Sequence, residues 1–319
     1  MKIVECVPNF SEGRDKEKIE RIVSVLRNRE QVKLINYEAD KDYNRTVVTL
    51  IGDADKMIDA IMDLVEVVLK EVDLNYHSGE HARMGAVDVI PFIPVNDITM
   101  KECVDYANIT AQRISEKFDI PCFLYAEAAR EEKRIALPNI RKGEFEGMKE
   151  KIKLPEWMPD YGKPEIHPTF GVIGVGARDF LIAYNIDVLT IDEKKTGNFA
   201  KAIRQSSGGF QYVQAGPVFL ENRGHTQVTM NILNFKKNPI YRIFETVKME
   251  AKRYHMDVPS AEIVGLIPKE ALVKSLEYYY AVDNLEMPKE ISLDEVVRMS
   301  EKYLKLRDFS KDKIIDYFL

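Results

Sequence analysis

The residues best suited to chemistry lie in Tyr76-His77-Ser78-Gly79-Glu80-His81-Ala82-Arg83-Met84-Gly85, which holds two of the five histidines beside a carboxylate and a guanidinium. An imidazole in such company gives and takes protons near neutral pH, because its unperturbed pKa is about 6.5. The letters from His77 to His81 also spell H-x-x-E-H, a zinc pattern of metallopeptidases. That pattern requires a helix, where positions i and i+4 share a face. Ser78-Gly79 opposes one, since glycine in a helix interior costs about 1 kcal/mol relative to alanine. Asn75 likewise favours a cap or turn. Acid–base chemistry, zinc and a structural polar turn all remain readings of the stretch; local backbone preference favours the first, and no metal is expected.

Around this loop the chain alternates strands and helices. Apolar runs and helical spacing predict strand 2–8, helix 15–28, strand 32–38, strand 45–51, helix 54–72, strand 86–93, helix 99–118 and strand 121–126. The second half reads strand 178–187, helix 195–206, strand 211–219, strand 226–235, helix 238–255 and strand 261–267. Met57, Ile61, Leu64, Val65 and Val68 share one helical face, as do Ile240, Ile243, Phe244, Val247 and Ala251. Both halves thus give β-α-β-β-α-β, the ferredoxin-like order, which suggests an internal duplication. Arg45-Thr46-Val47-Val48-Thr49 and His225-Thr226-Gln227-Val228-Thr229 echo each other at the third strand. The expected class is α+β: two ferredoxin-like subdomains, 1–177 and 178–290, with mixed sheets facing a central ligand cleft, then a helical extension over 291–319.

Residues 131–170 form the boundary, dense in charge and proline and holding the single tryptophan, Trp157. Trp157 suits a wall against a flat ligand. Arg141, Lys142, Lys149, Lys151 and Lys153 read as a solvated basic face. Gly171-x-x-Gly174-x-Gly176 has the wrong spacing for a dinucleotide fingerprint and suits close backbone approach; Ser206-Ser207-Gly208-Gly209 suits a helix end and turn.

Composition narrows the classes. A net charge of −6 argues against nonspecific nucleic-acid binding, and no apolar run reaches the roughly 18 residues of a membrane span. Three scattered cysteines, Cys6, Cys103 and Cys122, read as reduced thiols, and the start lacks a signal-peptide core, so a cytoplasmic protein is expected.

Several ordered motifs resemble the formiminotransferase family over essentially the whole chain. They are Val4-Glu5-Cys6-Val7-Pro8-Asn9-Phe10-Ser11-Glu12-Gly13, Asn44-Arg45-Thr46-Val47, His77-x-Gly79-Glu80-His81-x-Arg83-Met84-Gly85, Tyr125 to Arg130, Gly176-Ala177-Arg178 with Phe180 to Asn185, and Val264 to Pro268. The resemblance implies a transferase that moves a formimino group from N-formimino-glutamate to tetrahydrofolate, a co-substrate. It implies that His81 is the catalytic acid–base and that the chain forms a homodimer. It also implies a separate cyclodeaminase acting downstream, since in bifunctional members that domain follows an ending like this one.

This chemistry asks for further parts. A carboxylate should orient His81 and stabilise its imidazolium; Glu38, Asp40 and Glu80 are the candidates. Asn9 is placed to hydrogen-bond the reacting group, or to make an ordinary turn. Arg45 and Arg83 suit the carboxylates of formimino-glutamate and Arg178 the folate tail, though structural ion pairs would use the same residues. His77 is expected to orient the loop, and His225 and His255 to be structural. By resemblance, the folate region falls on Gly162, Lys163, Pro164, Glu165, Ile166, His167, Pro168, Thr169, Phe170 and Gly171. Three alternatives stay open: a formyl transfer from 5-formyltetrahydrofolate to glutamate, a zinc metallopeptidase, and a non-catalytic folate-binding protein.

Overall fold

Aspartates start the first helices. Asp15 accepts hydrogen bonds from the N–H groups of Glu17 and Lys18 and opens α1 (Lys16–Ser24), and Asp53 does the same for α2 (Ala54–Glu71). Thr99 and Glu102 form a reciprocal capping box at α3 (Met100–Phe118). The computed structural model describes residues 1–221 and 223–319, and they divide into two units, Met1–Asp179 and Phe180–Leu319.

In the first unit, β1 (Ile3–Cys6) and β2 (Asn9–Phe10) each pair with both β4 (Arg45–Asp53) and β5 (Val87–Asn96). On the outside of β4 lies β3 (Val32–Asp40), also antiparallel. Beyond β5, β7 (Ile173–Ala177) and β6 (Cys122–Ala126) continue the sheet in parallel. One face packs on α1, α2 and α3 through residues such as Ile22, Ile61, Leu64 and Ile114. Near β6 the other face is covered too: Val89, Phe123 and Tyr125 meet Ile140 of α5 (Leu137–Arg141) and Met148 of α6 (Glu144–Lys151).

The boundary holds α4 (Glu132–Ile135), α5 and α6. Two features differ from the sequence expectation. β7 was not expected, because glycines at Gly174 and Gly176 disguise a strand. A Cβ at Gly174 would lie 2.9 Å from Met84 Cε and one at Gly176 2.7 Å from the Tyr125 ring, so both glycines serve close packing. Trp157 does not stand bare as a wall, for the Lys151 ammonium sits 3.9 Å from its ring centroid.

The second unit is one antiparallel sheet in the order β11 (Ala261–Val264), β8 (Ile182–Val188), β10 (His225–Ile232), β9 (Val213–Leu220). Its helices are α7 (Glu193–Ile203), α8 (Ile240–Arg253), α9 (Lys269–Val282) and α10 (Leu293–Leu304). Val296, Met299, Leu304 and Ile314 of the expected extension join the same core as Tyr184, Phe199 and Phe244. No helix among the described residues is long and apolar enough to cross a membrane.

Candidate functional site

Three loops of the first unit are tied together where the two histidines lie. Gly13 N–H donates to Asn44 Oδ1 at 2.9 Å, Asn44 Nδ2 donates to the Ser78 carbonyl at 2.9 Å, and His77 Nε2 lies 2.8 Å from the Asn44 carbonyl. Backbone bonds run from Glu80 to Asp42 and from His81 to Tyr43. Gly79 is the residue that permits this approach: a Cβ there would stand 2.5 Å from the Tyr43 carbonyl oxygen. Burial, above all, pushes the His77 imidazole below its ordinary pKa, so it stays neutral as a loop brace. The stretch is irregular loop, not helix, and the two histidines turn to different partners. Among the described residues no group of three His, Cys, Asp or Glu side chains is arranged to hold a metal.

His81 is buried, at 5% exposure. Its Nδ1 is 3.5 Å from Arg45 Nη1, and its Nε2 is 3.5 Å from Asp88 Oδ2, ion-pair distance but beyond a good hydrogen bond. Asp88 is fully buried. It accepts a bond from Met84 N–H at 2.8 Å and two from Arg141, through Nε at 2.8 Å and through Nη2. Burial alone would push the Asp88 carboxyl up, yet His81, Arg141 and the Met84 N–H together hold it below the usual carboxylate range. Arg45 is half-buried and stacks over Tyr43; burial, reinforced by the Arg141 charge, lowers its pKa, as expected for a guanidinium short of counter-charge. No carboxylate lies within ion-pair distance of it among the described residues, and its Nε is buried without a partner.

The carboxylate at the histidine is therefore Asp88 and none of the three expected. Glu38, Asp40 and Glu80 are exposed; Glu38 accepts from Asn36, Asp40 caps the turn at Asp42 and Tyr43, and no bond or ion pair joins any of them to His81 among the described residues. Arg83 takes the ion-pair alternative of its two sequence readings. Its two amino groups are taken by Glu144, Glu146 and the His77 carbonyl, so it clasps the loop to α6 and has no free fork for a substrate. Asn9 donates to the Val7 carbonyl, a local turn bond. Arg178 has no ion-pair partner within 4 Å among the described residues; it donates to the Asp179 carbonyl.

Within Gly162 to Gly171, the last five residues form a tight turn, with His167 and Gly171 exchanging backbone bonds. That turn braces the histidine loop: Leu74 N–H donates to Thr169, Asn75 Nδ2 to Pro168, and Ala86 N–H to Phe170. His167 Nδ1 accepts from Phe170 N–H at 3.2 Å, and burial keeps its pKa low. Gly162, Lys163, Pro164 and Glu165 are exposed, with Lys163 near Asp119. Sequence reading missed Asp88, hidden in an apolar run, and read Arg141 as part of a solvated face.

A model of the formiminotransferase domain, N-terminal subdomain, matches residues 3–178, and one of the formiminotransferase domain matches 183–319. A protein named glutamate formimidoyltransferase from Streptococcus pyogenes serotype M1 is 44% identical over 91% of this chain and 97% of its own length. One of the same name from Thermoplasma acidophilum is 41% identical over 90% of this chain and 95% of its own. The formimidoyltransferase-cyclodeaminase of Gallus gallus is 37% identical across 100% of this chain, which spans 60% of that protein.

Proposed function

Because the chain belongs to the formiminotransferase family, we propose that it is a glutamate formimidoyltransferase, moving the formimino group of N-formimino-L-glutamate to N5 of tetrahydrofolate. The observation that carries the reading is a half-buried guanidinium without a carboxylate, Arg45, set 3.5 Å from the buried imidazole of His81. Arg45 offers its charge to a carboxylate of formimino-glutamate. N5 attacks the formimino carbon, a tetrahedral intermediate forms, and the bond from that carbon to the glutamate nitrogen breaks. One proton leaves N5 and one arrives on the departing nitrogen; His81 carries it between them. Arg178 and the exposed residues of Gly162 to Gly171 are assigned to the folate.

We read both units as ferredoxin-like. Support comes from strand order: β5-β1-β4-β3 in the first unit and β11-β8-β10-β9 in the second both run fourth, first, third, second within a β-α-β-β-α-β frame.

The test is turnover of formimino-glutamate with tetrahydrofolate, followed by the appearance of 5-formimino-tetrahydrofolate. Absence of that product sinks the proposal, and transfer from 5-formyltetrahydrofolate to glutamate in its place would substitute the formyl reaction. His81→Ala should lower turnover by about 100-fold or more while tetrahydrofolate still binds, general acid–base catalysis being worth roughly 10² to 10⁴.

A further inference from the structure

Asp88 occupies an unusual place in its strand. Asn9 of β2 faces Val89 of β5, and the next residue, Phe10, faces Val87, so Asp88 is the additional residue of a β-bulge. A bulge frees one residue from the ladder and re-aims its side chain. Here it turns a carboxylate inward beneath α5, where both oxygens are engaged. Oδ1 takes Met84 N–H, and Oδ2 takes Arg141 and faces His81 Nε2. Held from two sides, the carboxylate cannot swing.

The ring's other nitrogen meets only a donor. A guanidinium has no lone pair to offer, so the 3.5 Å approach of Arg45 Nη1 favours an unprotonated Nδ1, with the proton of neutral His81 on Nε2, 3.5 Å from Asp88. We propose that Asp88 and Arg141 are positioning residues for His81: Asp88 fixes the ring with its proton on Nε2, and Arg141 fixes Asp88. Nδ1 is then the nitrogen that takes the proton in the reaction, and Asp88 stabilises the imidazolium so formed, as carboxylates do for histidine bases generally. The inference rests on the reading of His81 as acid–base. It also brings the boundary segment into the site, since Arg141 ends α5, 53 positions beyond Asp88.

The charged and titratable groups set around this pair include Arg45 on β4, Tyr125 on β6 and Arg141 on α5; Asp40 and Tyr43 act on Arg45 as well, and Arg178 acts on Tyr125 together with Arg141 and Asp88. The experiment follows the His81 ring nitrogens by NMR in ligand-free protein, assigned by the loss of signal in His81→Ala. The wild type should show the Nε2–H tautomer. Asp88→Asn keeps the side-chain volume and can still accept Met84 N–H, but it offers no anionic oxygen to Nε2, so it should mix the tautomers. Its kcat should fall by about 10²- to 10⁴-fold with KM little changed, the pattern of an interaction gained in the transition state. A folded Asp88→Asn variant with unchanged tautomer and unchanged kcat overturns the proposal.

If Asp88→Asn does not fold, Arg141→Gln and Arg141→Lys read the same link. Lysine keeps the charge, so its variant should lie between wild type and Arg141→Gln in both tautomer ratio and kcat; two variants indistinguishable from wild type would overturn the assignment. The ring measurements need no substrate. A wild type with the expected tautomer but no formimino transfer therefore upholds the positioning of His81 and refutes the reaction assigned to it.

Discussion

Two arginines of one small region have opposite surroundings, and under the proposed function that difference assigns one to binding and the other to scaffolding. Arg83 is 6% exposed and its amino groups are consumed by Glu144, Glu146 and a backbone carbonyl. No carboxylate lies within ion-pair distance of Arg45 among the described residues, Asp40 and Asp88 acting on it only from farther away. Arg83→Ala should therefore lower unfolding free energy by about 1 to 3 kcal/mol, in the ordinary range for losing a buried charged network, and leave the KM for formimino-glutamate near its wild-type value. Arg45→Ala should raise that KM by about 10- to 100-fold, matching the roughly 1.5 to 3 kcal/mol of a charge-assisted hydrogen bond. Denaturation and steady-state kinetics on both variants decide it, and the reverse pattern would exchange their roles. From sequence, the catalytic role of His81 and the notice given to Arg45 came with the family resemblance, whereas His81 itself stood out because polar residues in a glycine-punctuated loop contrast with what surrounds them. Asp88 did not, for one acid within Ala86 to Val95 reads as an alternating strand residue, and a bulge has no signature in a single strand's letters. Glu80 adjoins His81 in its motif, and Glu38 and Asp40 lie far from it in sequence; all three are exposed.

At the level of elements, α5 and α6 connect the boundary segment to the chemistry. The Lys151 ammonium donates to the carbonyls of Asn139, Ile140 and Lys142, closing the end of the helix that carries Arg141. Burial, with a smaller contribution from Lys142, brings the Lys151 pKa down to about 8. Lys151→Met removes these three bonds while keeping an apolar stem against Trp157. Arg141 should then lose its fixed approach to Asp88, and kcat should fall by about 10- to 100-fold, the scale on which small misplacements act. An unchanged kcat would mean that α5 holds Arg141 without help from α6. Periodicity made α2 and α8 legible, because one apolar stripe on each meets a sheet. It failed for α4 to α6, which are only 4, 5 and 8 residues long, too short for a 3.6-residue pattern to stand out from noise. α1 stops at Ser24, short of the expected 28, since Val25 to Asn28 carry on as turns.

For the molecule as a whole, pH dependence sums over buried ionisable groups, and their signs differ. Asp88 and Asp187 have depressed folded pKa values, each against the effect of its own burial; Asp187 is held by Ser260, Gln227 and Arg307. Both contribute stability present above the unfolded carboxylate pKa and lost as pH falls through the folded value. His77 and His167, also depressed, stabilise the fold above the unfolded histidine pKa of 6.5 and lose that contribution as pH falls. Glu5 runs the other way. It is 5% exposed, and burial raises its pKa from 4.5 to about 7, with Arg178 only partly opposing. Between those values the folded chain binds the proton that the unfolded chain has released, so stability falls as pH rises across the window and stays lowered above it. Glu5→Gln removes this single slope and leaves the others in place. The variant's stability relative to wild type should therefore increase between pH 4 and pH 8 by up to roughly 3 kcal/mol, because each pH unit separating the folded and unfolded pKa values is worth about 1.4 kcal/mol. Urea denaturation of both proteins at the two pH values measures that difference directly. An equal offset at pH 4 and pH 8 would mean that Glu5 is ionised in the fold as readily as in the open chain, with Arg178 fully compensating its burial.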